Sequence, residues 1–113
     1  MENAVKLSIL LEIYGKLLTE KQYDLLDDYY NSDLSLSEIA ENQGITRQAV
    51  RDNLKKGEKN LLEYEDKLGI MKKNEVQQKM LDDIFETLNS ISNESNKDVK
   101  VKIEKVKQKL KNF

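Results

Sequence analysis

The chain has 113 residues and a formal net charge of −2, from 19 basic and 21 acidic side chains, with no cysteine, histidine or proline. That length allows one compact domain plus an appended element, and the missing residue types exclude disulfides, thiolate metal sites and the commonest general base. With 38% hydrophobic and 35% charged residues and only four glycines, the composition predicts helices with narrow apolar stripes, an all-α chain of five or six helices.

From the N-terminus, Leu7, Leu10, Leu11, Tyr14, Leu17 and Leu18 recur at helical spacing and predict a first helix over 4–18. The short apolar run there is interrupted by Lys6 and Glu12 and lacks a basic leader and a cleavage site. No stretch approaches the ~20 apolar residues of a membrane span, so the expectation is a soluble, cytoplasmic protein without a membrane partner. Thr19 with Gln22 forms a capping box opening a second helix over 20–31, whose Tyr23, Leu26, Tyr29 and Tyr30 read as core.

The segment SLSEIAENQGITRQAVRDNLKKG, residues 35–57, carries most of the functional signal. Ser35 and Glu38 form a second capping box, with Leu36, Ile39 and Ala40 inward. Gly44 suits the left-handed turn that ends the helix, Ile45 returns to the core, and Thr46 caps the next helix with Val50 and Leu54 inward. Arg47, Gln48, Arg51, Lys55 and Lys56 are left pointing out. This is the layout of a helix-turn-helix, whose second helix lies in the major groove with its N-terminal side chains on base edges. Arginine can pair bidentately with guanine and glutamine with adenine, so Thr46, Arg47, Gln48, Arg51, Lys55 and Lys56 are the candidate nucleic-acid-binding residues. Asp52 on the same exposed side would repel phosphate or demand a cytosine amine.

Val50, Leu54, Gly57, Leu61, Tyr64 and Leu68 alternate four and three apart, so this helix reads as long, with a seam that closes at Leu68-Gly69. Gly57 marks either a close helix approach or a bend. Asn74 is the expected cap of a further helix, striped by Val76, Met80, Ile84, Leu88 and Ile91. Residues 90–96, SISNESN, read as a polar linker before a lysine-rich amphipathic helix with Val99, Ile103, Val106, Leu110 and Phe113 on one side. An apolar stripe must be buried against something. The expected solution is a homodimer whose interface uses Val76, Met80, Ile84, Leu88, Val99, Ile103, Val106 and Leu110; for the last helix the alternatives are docking within the chain, exchange between protomers, and disorder. Three segments result: a helix-turn-helix domain at 1–72, a C-terminal helix at 73–92, and a linker with a lysine-rich helix at 93–113.

Charge is distributed unevenly. Residues 1–46 carry three lysines against nine carboxylates, whereas residues 97–113 carry seven lysines against Asp98 and Glu104. An acidic body weakens phosphate-driven binding. Catalytic chemistry is not expected: the neighbouring carboxylates Asp27-Asp28 and Asp82-Asp83 do not face one another on a helix, and the glycines are scattered. No catalytic residue, metal site or cofactor is assigned.

The pattern Leu-Ser-x-x-Glu-Ile-Ala, Gly-Ile-Thr-Arg, Ala-Val-Arg resembles the last DNA-reading region of bacterial sigma factors. That resemblance implies a sigma region 4-like domain with Arg47, Gln48 and Arg51 facing the groove. The longer stretch from EIYGKLLTEKQYDLLDDYY through LSLSEIAENQGITRQAVRDNLKKGEKNLLEYEDKLG resembles the YlxM family of small bacterial helix-turn-helix proteins. The family likeness implies a cytoplasmic accessory or regulatory protein linked to the signal recognition particle pathway, with no catalytic residues to carry over. Two function classes follow. In one, the outward basic residues bind operator DNA or signal recognition particle RNA. In the other, the motif is scaffold and the acidic front engages a protein such as a signal recognition particle GTPase. A continuous basic stripe favours the first; basic residues isolated among carboxylates favour the second.

Overall fold

A computed structural model describes residues 3–112, all of them helix or short connection: α1 Asn3–Tyr14, a 3-10 turn Gly15–Leu17, α2 Glu20–Tyr30, α3 Leu36–Gln43, α4 Arg47–Leu68, α5 Ile70–Asn93 and α6 Lys97–Lys111. The chain divides into two compact units, residues 1–71 and 72–113. The segments expected at 73–92 and 93–113 thus fall together in the second unit. Among the described residues no helix is long and apolar enough to cross a membrane.

In the first unit α1, α2 and α3 pack around α4. Leu7, Leu10, Leu11 and Tyr14 of α1, Leu25 and Leu26 of α2, Ile39 and Ala40 of α3, and Val50, Leu54 and Leu61 of α4 form the core. Leu25, not expected there, is buried, whereas Tyr23 and Tyr29 are each 38% exposed. The first helix stops four residues before its expected end. Gly15 opens a tighter turn there, and a β-carbon on it would lie 2.7 Å from the Tyr23 ring. Both expected capping boxes form, Thr19 with Gln22 and Ser35 with Glu38. Gly57 is a close approach and not a bend: α4 runs through it unbroken, and a β-carbon there would meet Leu26 Cδ1 at 2.7 Å.

α5 starts at Ile70, directly after Gly69 closes α4 in the left-handed conformation at φ +63°. Asn74 is therefore interior and not a cap. The amides that a cap would satisfy find partners from elsewhere in the fold. The Ile70 N–H donates to the Tyr14 hydroxyl at 3.1 Å, and the Met71 N–H to Glu65 Oε1 at 2.9 Å. Tyr14 also donates to Glu65 at 2.7 Å, so α1, the end of α4 and the start of α5 meet in one polar latch. Burial, and then the hydrogen bond to Glu65, raise the Tyr14 phenol above its ordinary pKa.

In the second unit α5 extends to Asn93, through most of the expected linker, and only Glu94–Asn96 turn. Asn96 caps α6 by accepting from the Val99 N–H at 3.0 Å, and Lys107 donates to Asn89, so α6 returns alongside α5 as a helical hairpin. Ile103 is buried, and Leu81, Phe85, Leu88 and Leu110 are half-buried.

Candidate nucleic-acid interface

The turn between α3 and α4 is built from local chemistry. Gly44 sits at φ +66°, and its N–H reaches the Ala40 and Glu41 carbonyls. A side chain would be strained in that conformation. The Ile45 N–H also donates to Ala40 O, at 3.1 Å, and half-buried Ile45 anchors the loop. Thr46 Oγ1 then accepts from the Ala49 N–H at 3.1 Å, starting α4. With Ile39 and Val50 both fully buried, α3 and α4 are held in helix-turn-helix order, and the first turns of α4 are presented outward.

Thr46, Arg47, Gln48, Arg51, Lys55 and Lys56 are all exposed. Residues in an α-helix advance by about 100° each, so Arg47, Arg51 and Lys55 form one continuous stripe about 80° wide, with Gln48 beside it. Lys59 prolongs that stripe by one turn. It was absent from the residues picked out by sequence, although its four-residue step from Lys55 is visible there. Lys56 falls about 180° round from Arg47 and does not join them. None of the stripe's cations makes an ion pair among the described residues.

Two carboxylates closest to the stripe are held by neutral donors. Gln48 Nε2 donates to Asp52 Oδ1 at 2.9 Å, and the Tyr30 hydroxyl donates to Glu58 Oε1 at 2.5 Å. Tyr30 in turn packs edge-on against Tyr29, centroids 5.0 Å apart. Its phenol pKa is raised, first by burial and then by the Glu58 hydrogen bond, which keeps it a donor. Tyr29, Tyr30, Leu36, Arg51, Leu54, Lys55 and Glu58 line a shallow hollow of about 250 Å³ behind the stripe. Nothing in local sequence joins Tyr30 to Glu58, 28 residues apart. Farther along α4 the surface changes sign, with Glu58, Glu63 and Asp66 around Lys55, Lys59 and Leu62. The basic stripe therefore runs from the start of α4 to just past its middle at Lys59, and its first turns are the part that a helix-turn-helix inserts.

Comparison with known proteins gives consistent relatives. The family described as "UPF0122: Putative helix-turn-helix protein, YlxM / p13 like" matches residues 1–112. A UPF0122 protein of Clostridium kluyveri is 44% identical over 112 residues, covering 99% of this chain and 98% of its own length. A Clostridium botulinum relative of the same name is 40% identical over the whole of both chains. One from Fusobacterium nucleatum is 51% identical over 76 residues, 66% of this chain and 74% of its own.

Proposed function

The chain belongs to the UPF0122 family of YlxM / p13-like helix-turn-helix proteins, and from that premise we infer that it is a nucleic-acid-binding accessory or regulatory protein. Binding runs through the stripe that begins at the start of α4. The observation that carries this reading is the stripe of Arg47, Arg51 and Lys55, exposed and without ion-pair partners at the start of the second helix. In it Arg51 and Gln48 contact bases, in the manner of the sigma-factor region that the motif resembles, while Arg47, Lys55 and Lys59 contact phosphates. Base reading of this kind fits duplex DNA, because the major groove of duplex RNA is too deep and narrow for side chains. The family's resemblance-based link to the signal recognition particle makes that RNA the second ligand to test. Asp52 subtracts from binding, since its charge remains beside the groove-facing residues even while Gln48 holds it.

The test is a titration of labelled operator-region DNA and signal recognition particle RNA at two salt concentrations, using wild type and an Arg47→Ala/Arg51→Ala variant. Arg51→Ala is expected to cost about 1–3 kcal/mol and to relax sequence preference. Lys55→Ala is expected to weaken all sequences alike and flatten the salt dependence. Equal binding by wild type and the double variant would remove α4 from the interface. Absence of binding by both would leave the motif as scaffold for a protein partner, such as a signal recognition particle GTPase.

A further inference from the structure

The α5–α6 hairpin covers only part of its own apolar surface. Leu81, Phe85, Leu88 and Ser92 of α5 and Ile103 and Leu110 of α6 are wholly or partly buried. Val76, Met80, Ile84 and Ile91 of α5 and Val99 and Val106 of α6 remain between 37% and 61% exposed. At about 100° per residue, the exposed side chains of each helix lie displaced from its covered ones in the same rotational sense. In two antiparallel helices a common sense of rotation leads to the same side, so both exposed stripes share one face of the hairpin. On that face Asp83, Ile84, Thr87 and Leu88 surround a hollow of about 250 Å³. These four residues come from two successive turns of α5, so the hollow lies between turns, where a side chain of a facing helix can seat.

The geometry points to a second copy of this chain as the occupant, packed face to face so that α5 of each copy lies against α6 of the other in a four-helix arrangement. Charge selects that pairing. Residues 80–93 of α5 carry Asp82, Asp83 and Glu86 and no cation, while α6 carries seven lysines against two carboxylates. Pairing α5 with α5, or α6 with α6, would face like with like, which suppresses the wrong arrangement. Within the hairpin these charges are little used: the only ion pair involving an α6 residue that the described residues make is Lys107 with Glu104, inside α6 itself. Size agrees as well. At ~1.5 Å per residue α5 is about 36 Å long and α6 about 22 Å, and at ~10 Å per helix width they give a face of roughly 600 Å², the lower end of what each partner contributes to a standard interface. With α5 ending at Asn93 and α6 starting at Lys97, Lys109 lies near the level of Asp83 in the antiparallel hairpin, and a two-fold axis along the helices keeps that level, bringing Asp83 within reach of Lys109 of the second copy.

Sedimentation and light scattering of the full chain test this. Wild type is expected at twice the 13.2 kDa chain mass, and Ile84→Asp at the single-chain mass with its far-UV circular dichroism unchanged. Met80→Glu, at the most exposed of these positions, serves the same end if Ile84→Asp loses helix. Asp83→Lys and Lys109→Glu are each expected to weaken the dimer about tenfold, and the two together to restore it. A wild-type monomer at millimolar concentration would overturn the proposal and leave the face to a different protein. So would a dimer that withstands both apolar variants, or a charge-swapped pair weaker than either single variant.

Discussion

The two units are equally helical and differ in what holds their helices. Of the thirteen described hydrophobic residues that are buried, twelve lie in residues 1–71 and one, Ile103, in the hairpin. In the first unit each helix places several side chains in a common core, so helix formation there is a consequence of tertiary burial. In the second, α5 and α6 depend on caps, propensity and a narrow seam. A helix pair with so little burial is held less firmly than the first unit. The same period of apolar residues therefore produces a core in one half of the chain and an open face in the other. The half that needs no partner carries the basic stripe; the half that lacks one carries the charge-complementary face.

The largest effect expected to sharpen this contrast comes from the core. Leu61 is fully buried, and Leu61→Ala removes transfer energy and leaves a cavity, a loss of about 2–5 kcal/mol. Ile103→Ala should leave the first unit's stability unchanged and raise amide exchange only in α6 and the adjoining turns of α5. Hydrogen exchange followed by mass spectrometry resolves the two. Equal protection throughout residues 3–112 in wild type would break the comparison, because the hairpin would then share the first unit's cooperative unfolding.

A smaller effect comes from the tyrosines, all five of which lie in the first unit. Tyr14→Phe deprives Glu65 of a donor and the Ile70 N–H of its acceptor, at a cost of about 1–2 kcal/mol. The pH dependence has a definite sign. Tyr14 and Tyr30 both have raised phenol pKa values in the fold. Unfolding therefore releases protons once the pH exceeds the ordinary phenol value of about 10. Stability is fully present below that pH and falls as pH rises from it toward the folded-state values. Thermal unfolding across this range should show the first unit weakening, and the Tyr14→Phe/Tyr30→Phe variant weakening less steeply from its lower starting point.

What could be read from the sequence was what depends on neighbours. Ser35 with Glu38, Gly44 and Thr46 make their contacts within four residues, so the turn before α4 was legible, and with it the outward side of Arg47, Gln48 and Arg51. The long reach of α4 to Leu68 was legible from its seam. Contacts across the fold were not. Sequence left Gly57 open between bend and close approach, and it is Leu26, 31 positions away, that decides. Tyr30 and Glu58 join behind the stripe without any local sign. The first turn of α5 was misplaced because its amides are satisfied by Tyr14 and Glu65, and Asn74 imitated the cap that such a start ordinarily requires.

That misplacement yields the smallest expected effect and a direct comparison of two asparagines. Both precede an apolar stripe at helical spacing, but from sequence only Asn74 reads as a cap, and Asn96 as the end of a polar linker. Asn96 accepts from the Val99 N–H, so Asn96→Ala should cost the hairpin about 1 kcal/mol, seen as faster exchange in the first turn of α6. Asn74 is exposed in the interior of α5. There alanine is the better helix former by roughly 0.5 kcal/mol, so Asn74→Ala should be neutral to slightly stabilising, with helicity unchanged or raised. A loss at Asn74 as large as that at Asn96 would mean that α5 begins at Asn74 in solution. The Tyr14–Glu65 latch would then not hold the amides of Ile70 and Met71.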